Sequence, residues 1–168
     1  TLGLGMVTYA RMKNPAKLIV LDMMDARLEK AKEFGADLVW NPAKVNVVEE
    51  IMKLTEGYGC DIYIEATGHP SSVTQGMDMI RKLGRFVEFS VFGAPTTFDW
   101  STIGDGKELD VLGSHLSPYC FPFVIEHIAN GTLKTDGMIE HTFQLEDWEK
   151  AFDYATGKYG DFKVAFTF

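Results

Sequence analysis

Two hydrophobic patterns alternate along this chain. Short apolar runs suited to strands are separated by stretches whose apolar positions recur with a helical period. Leu2 to Met12 reads as helix, and Asn14-Pro15 ends it, because proline disfavours the α conformation in the residue before it. "KLIVLD", from Lys17 to Asp22, is a continuous apolar run closed by a carboxylate, which suits a strand buried on both faces. Asp25 is placed to cap a helix over Ala26–Phe34, and Gly35 suits the position just past its end. "DLVW" is a short strand. Asn46 and Glu49 have capping-box spacing, with Asn for the usual Ser or Thr, and open a helix to about Glu56. A strand over Asp61–Glu65 follows "GYGC". After the loop "ATGHPSS", Ser72 and Gln75 repeat the capping-box pattern and predict a helix to Leu83, closed by Gly84. "RFVEFSVFG" and "ELDVLGS" are further strands, and a helix follows over about Phe121–Ala129.

Strands alternating with helices of about ten residues are the signature of a parallel sheet covered on both faces. The expected fold class is α/β, a Rossmann-like doubly wound sheet. The last stretch, "MIEHTFQLEDWEKAFDYATGKYGDFKVAFTF", reads instead as a strand-helix-strand tail. Its helix places Leu145, Trp148, Phe152 and Ala155 near one stripe. The tail is more apolar than a solvent-facing appendage requires, so it is expected to pack on a surface outside this chain.

Composition narrows the function. The 168 residues are 46% hydrophobic, enough for a globular domain with a real core. A net charge of −8 argues against non-specific nucleic-acid binding, because phosphates are repelled. Cys60 and Cys120 form neither a disulfide framework nor a zinc knuckle, so a cytoplasmic location is expected. No apolar run reaches the roughly 18 residues that span a bilayer, and no signal peptide is visible. The chain starts with Thr, so residue 1 is not necessarily a native start.

Candidate chemistry begins at the opening "TLGLGMV". A dinucleotide fingerprint needs G-x-G-x-x-G between a strand and a helix. Gly3 and Gly5 have the G-x-G spacing, but position 8 is Thr and no strand precedes them. An ordinary helix N-terminus with two small packing residues reads the same way. Asp22 adds a second signal. It ends the next strand about 20 positions after Gly3, where an acidic residue accepts hydrogen bonds from a ribose 2′-hydroxyl and repels the 2′-phosphate of NADP. An ordinary Asp at a strand end is the alternative. No Ser/His/Asp nucleophile pattern is present, and the four histidines and two cysteines lack metal-ligand spacing.

"TLGLGMV…LIVLDMMDARLEKAKEFGADLVWNP", "GCDIYIEATGHP", "GRFVEFSVFG", "LDVLGS" and "HTFQLEDWEKAFDYATGK…KVAFTF" together resemble the cofactor domain of medium-chain, zinc-type alcohol and polyol dehydrogenases. The likeness runs in order through essentially the whole chain. "MIRKLGRFVEFSVFG" and "GSHLSPYC" look closest to enzymes of the threitol, erythritol and sorbitol kind.

The resemblance implies a division into residues 1–129, an NAD-binding Rossmann domain lacking its first strand, and residues 130–168, which would return to a catalytic domain outside this chain. Gly3 then corresponds to the third glycine of the family's G-x-G-P-L-G turn, with Thr1 in place of the usual Pro, and Gly5 lies inside the helix. By the same resemblance, Leu2 would offer its backbone N–H to the pyrophosphate and Asp22 would bind the adenosine ribose. Arg27 would lie over the adenine or near the ribose, although a solvated helix charge fits it equally. Phe89, Ser90 and Val91 would meet the nicotinamide half, and Ser114, His115 and Leu116 would close over its carboxamide side. His69, His127 and His141 read as surface or packing residues.

No catalytic or metal-ligating residue is expected in this chain, since the family's zinc ligands lie in the catalytic domain. The implied parent activity is hydride transfer from a secondary alcohol of a small polyol to NAD, with zinc polarising the alcohol oxygen. The chain alone is expected to bind NAD, lack activity and pair with a second copy through the cofactor domain. The alternative is a non-catalytic fragment, serving as a folding or dimerisation unit without useful cofactor affinity and only marginally stable. A zinc-free, quinone-reductase-like member is a weaker possibility, because such proteins prefer NADPH and Asp22 opposes it.

Overall fold

The computed structural model describes residues 2–115, 119–156 and 163–168. They form two compact units, one from residues 1–44 and 120–168, the other from residues 45–119.

In the first unit, helix α1 (Leu2–Met12) ends as its sequence predicts. Asn14 takes the left-handed conformation at φ +51° directly before Pro15. Strand β1 (Ile19–Leu21) pairs in parallel with β2 (Leu38–Trp40), and α2 (Asp25–Glu33) makes the crossover. Leu4 and Val7 of α1 bury against Ala31 and Phe34, with Leu18, Val20 and Val39 completing the cluster. Arg11 locks the turn after α2. Its guanidinium donates to the Gly35 carbonyl at 2.6 and 2.9 Å and to Asp37 at 2.6 Å, and Asp37 also takes the Leu18 N–H at 2.6 Å.

One cap differs from expectation. Asp25 is the first residue of α2, and Met24 occupies the cap position without a side-chain bond. The Asp25 carboxylate is engaged elsewhere, accepting from Asn41 Nδ2 at 2.9 Å and from the Lys44 ammonium. Two donors beyond the helix outcompete its own first-turn N–H groups. The rest of the unit comprises α5 (Phe121–Ala129), β6 (His141–Gln144), α6 (Trp148–Ala155) and β7 (Val164–Thr167), with β6 and β7 parallel. The strand-helix-strand tail therefore forms as predicted.

In the second unit, Asn46 caps α3 (Val47–Leu54), accepting the Glu49 N–H at 3.4 Å and donating to Glu49 Oε1 at 2.8 Å. The helix stops short of Glu56, which adopts φ +54°. Strands β3 (Cys60–Glu65), β4 (Ile80–Glu88) and β5 (Asp110–Gly113) form a parallel sheet in the order β3-β4-β5. Helix α4 (Pro70–Met79) crosses between β3 and β4 and buries Val73 and Met77 on Ile80 and Phe86.

Both ends of α4 depart from the capping-box expectation. His69, not Ser72, is the N-cap, with Pro70 in the first turn, where a missing N–H costs nothing. The helix ends at Met79 rather than Leu83, and Leu83 and Gly84 lie inside β4. Ile80 pairs with Cys60, so strand pairing begins where the local pattern still reads as helix.

Every strand pair among the described residues is parallel, which gives the α/β, Rossmann-like class expected. β1 bonds only β2 and β3 only β4 among the described residues, so each keeps one open edge. Ile62 and Ile64 of β3 are 55% and 39% exposed, in a sheet expected to be covered on both faces.

Candidate functional site

Open α/β sheets bind ligands outside the carboxyl ends of their strands. Most of the predicted contacts lie there, each in its own unit. Asp22 directly follows β1. Its Oδ1 accepts the Met24 N–H at 2.9 Å, which shapes the turn into α2, while Oδ2 stands 3.8 Å from the Arg27 guanidinium. The structure thus brings Asp22 and Arg27 together, with both side chains partly exposed. Leu2 opens α1 and is exposed, and the first turn of that helix carries no acidic side chain to compete for an anion. A Cβ on Gly3 or Gly5 would meet no described atom within 4 Å.

In the second unit Phe89 follows β4, and its N–H donates to the Glu65 carbonyl at 3.1 Å. The Ser90 hydroxyl reaches the same carbonyl at 3.3 Å, and Val91 is 94% exposed. Ser114 and His115 follow β5 and are exposed. Leu116 lies outside the described residues.

Sequence reasoning passed over Glu65. It ends β3 and is fully buried. Its Oε1 accepts the Thr67 N–H at 2.9 Å and the Thr67 hydroxyl at 2.6 Å, and Oε2 accepts the Gly68 N–H at 3.2 Å. Burial alone would raise its pKa. Donation from Ser90, from the Thr67 hydroxyl and from the N–H groups of Thr67 and Gly68 outweighs that, and the carboxyl is held below the ordinary glutamate range. The sequence signal was an acid at a strand end followed two and three residues later by Thr and Gly, a local turn pattern. In register with Glu65 on β4, Glu88 carries a buried Oε1 with no hydrogen-bond partner among the described residues.

The remaining histidines have structural partners. His69 Nδ1 accepts the Ser71 N–H at 3.3 Å, His127 meets Thr132 Oγ1 at 2.5 Å, and His141 packs edge-on to Tyr154. Among the described residues no group of three or more His, Cys, Asp or Glu side chains could hold a metal ion. None of the described helices is long and apolar enough to cross a membrane. A cleft of about 260 Å³ lies away from the predicted contacts, lined by Thr8, Arg11, Phe34 and Lys134 among others. Its two cations are already committed, Arg11 to Gly35 and Asp37, Lys134 to the Glu33 carbonyl at 2.7 Å.

Burial pushes the Cys60 thiol up to about 11, while Cys120 is exposed. Since the thiolate is the reactive form, iodoacetamide at pH 8 is expected to modify Cys120 first and Cys60 slowly, with Cys60 accelerating only as pH approaches 11. Peptide mapping of a labelling time course checks this, and equal rates at pH 8 would contradict the burial of Cys60.

Residues 1–130 match the sequence profile of the family described as zinc-binding dehydrogenase. An erythritol/L-threitol dehydrogenase of Mycolicibacterium smegmatis is 49% identical over 158 residues, covering 94% of this chain and 44% of that protein. An L-threonine 3-dehydrogenase of Pyrococcus horikoshii is 32% identical over 170 residues, covering 98% of this chain and 48% of that protein. Among solved structures, an alcohol dehydrogenase of Escherichia coli CFT073 complexed with NADH superposes with a TM-score of 0.89 at 30% identity, covering 99% of this chain and 49% of the other. The chain spans about half the length of the relatives it matches. From its first helix through α5, the chain belongs to the zinc-binding dehydrogenase family.

Proposed function

We propose that this chain is the NAD-binding part of a zinc-dependent dehydrogenase that oxidises a secondary alcohol of a small polyol. Asp22 carries the reading. A partly exposed carboxylate oxygen at the end of β1, with Oδ1 already occupied, is placed to accept from a ribose diol and would repel a 2′-phosphate. Residues 1–129 form the cofactor module and residues 130–168 a segment that docks on the catalytic domain of the whole protein. The polyol class rests on the 49% identity to the erythritol/L-threitol enzyme.

The chemistry of these residues suits NAD. By the family resemblance, Asp22 and Arg27 would hold the adenosine side, the Leu2 N–H would meet the pyrophosphate, and Phe89, Ser90 and Val91, with Ser114, His115 and Leu116, would receive the nicotinamide. NAD supplies the hydride-accepting ring, and these residues orient it. On this reading the zinc ligands belong to the rest of the proposed whole protein. In that protein the site is cytoplasmic.

A second reading has its own support. Among the described residues β5 is a sheet edge, and its Val111 and Leu112 are 44% and 45% exposed, which suits a chain serving as a folding or pairing unit between copies.

Titration with NADH, followed by nicotinamide fluorescence with NADPH in parallel, separates the two. Saturable binding that prefers NADH is expected, and Asp22→Ala is expected to weaken it about 10- to 100-fold, the value of hydrogen bonds to a charged group. No binding at millimolar NADH would overturn the cofactor reading in favour of the pairing unit.

A further inference from the structure

Two turns at the ligand-binding end of the second unit's sheet are tied through one buried residue. The Glu65 carboxylate takes three donors from the turn that follows it: the Thr67 N–H, the Thr67 hydroxyl and the Gly68 N–H. Thr67 Oγ1 in turn accepts the His69 N–H at 3.0 Å, carrying the constraint to the first residue before α4. On the other side, the Glu65 carbonyl takes the Phe89 N–H and the Ser90 hydroxyl. The two turns also press together. Gly68 sits at φ +71°, and a Cβ there would stand 2.6 Å from the Val91 carbonyl oxygen.

We propose that Glu65 is a positioning residue for the nicotinamide end of the cofactor, fixing the Phe89–Val91 turn through the turn at Thr67 and Gly68. The proposal rests on the NAD reading above. Its physical basis is that a fully buried carboxylate with three donors fixed in the Thr67–Gly68 turn leaves that turn few alternative arrangements. A change in its acceptor set shifts the Gly68 backbone. Gly68 leaves no room for even a Cβ beside the Val91 carbonyl, so a shift there bears on the turn that would face the nicotinamide. The adenosine side is assigned to Asp22 and Arg27, which lie outside the two linked turns.

Glu65→Gln keeps the size and one acceptor oxygen but turns an NH₂ toward a backbone donor. Glu65→Asp keeps the carboxylate, and acceptance from N–H groups two and three residues on is the geometry aspartate readily makes. Unmodified chain, E65Q and E65D are titrated with NADH and with ADP-ribose, which lacks the nicotinamide, after thermal melts establish that each is folded at the titration temperature. The proposal expects E65Q to weaken NADH about ten-fold or more, the cost of disturbing hydrogen bonds to a charged group, with ADP-ribose within about two-fold and E65D recovering most of the NADH affinity. E65Q weakening both ligands equally, or neither, would overturn it and leave Glu65 a stabilising residue only. Unmodified chain that binds ADP-ribose but not NADH would overturn it while sparing the assignment of Asp22. Binding of neither ligand would take down the NAD reading and this proposal together.

Discussion

Gly76→Val is expected to cost about 2–3 kcal/mol of stability, a large share of the roughly 5–15 kcal/mol that holds a domain together. Gly76 lies buried in α4 against the ring of Tyr63 on β3. A Cβ at this position would stand 2.6 Å from Tyr63 Cδ1 and 2.9 Å from Cζ. The ring has nowhere to go. It stacks on Phe86 with centroids 5.4 Å apart, and its hydroxyl is held by the Ser72 carbonyl at 2.9 Å and the Ser72 hydroxyl at 2.8 Å. Removing a helical glycine gains back only about 1 kcal/mol. Gly3→Ala is the matched control, since a Cβ there meets nothing within 4 Å, and it should be neutral or stabilising by up to about 1 kcal/mol. Thermal melts of both variants test the account. A G76V melting temperature equal to that of the unmodified chain would show that Tyr63 can yield.

Lys107→Met is expected to cost about 2–3 kcal/mol, because it removes a charge-assisted cap while keeping most of the side chain's volume. The Lys107 ammonium donates to the carbonyls of Met77, Asp78 and Ile80, the last at 2.7 Å. These are groups that a helix C-terminus leaves without intrahelical partners. The same residue's carbonyl takes the Leu83 N–H at 2.7 Å, so Lys107 secures both the end of α4 and the bend of β4 at Leu83, which has φ +56°. Urea denaturation should show a lower midpoint with an unchanged slope, the mark of lost stability without altered compactness. A midpoint matching the unmodified chain would mean that water replaces the ammonium at no cost.

Where structure and sequence agree, the deciding signals sit within a few residues of one another. α1 and α5 fall at Leu2–Met12 and Phe121–Ala129, as their patterns indicate, because a helical period and a stop such as Asn14-Pro15 are local properties. The Asn46 cap and the strand-helix-strand tail are legible for the same reason. The place of Asp22 at the end of β1 was also legible, since a strand end and a short spacing from the glycines are local features.

The misses share the opposite property. Asp25 looks like a cap until Asn41 and Lys44, 16 and 19 residues on, take its carboxylate. The end of α4 looks like Gly84 until Cys60 draws Ile80 into the sheet and Lys107, 27 residues beyond Ile80, takes the last carbonyls. Glu65 sits in the sequence as one more acid, and only the fold buries it with five donors around its two kinds of oxygen. By itself, then, the sequence determined the alternation of strands and helices, the parallel class and the acidic residue at the end of β1, because periodicity, caps and short spacings act locally. The tertiary structure decided which of several competing donors each carboxylate receives and where a helix yields to a strand, because burial makes an unpartnered polar group costly and the partner that satisfies it is chosen by distance in space.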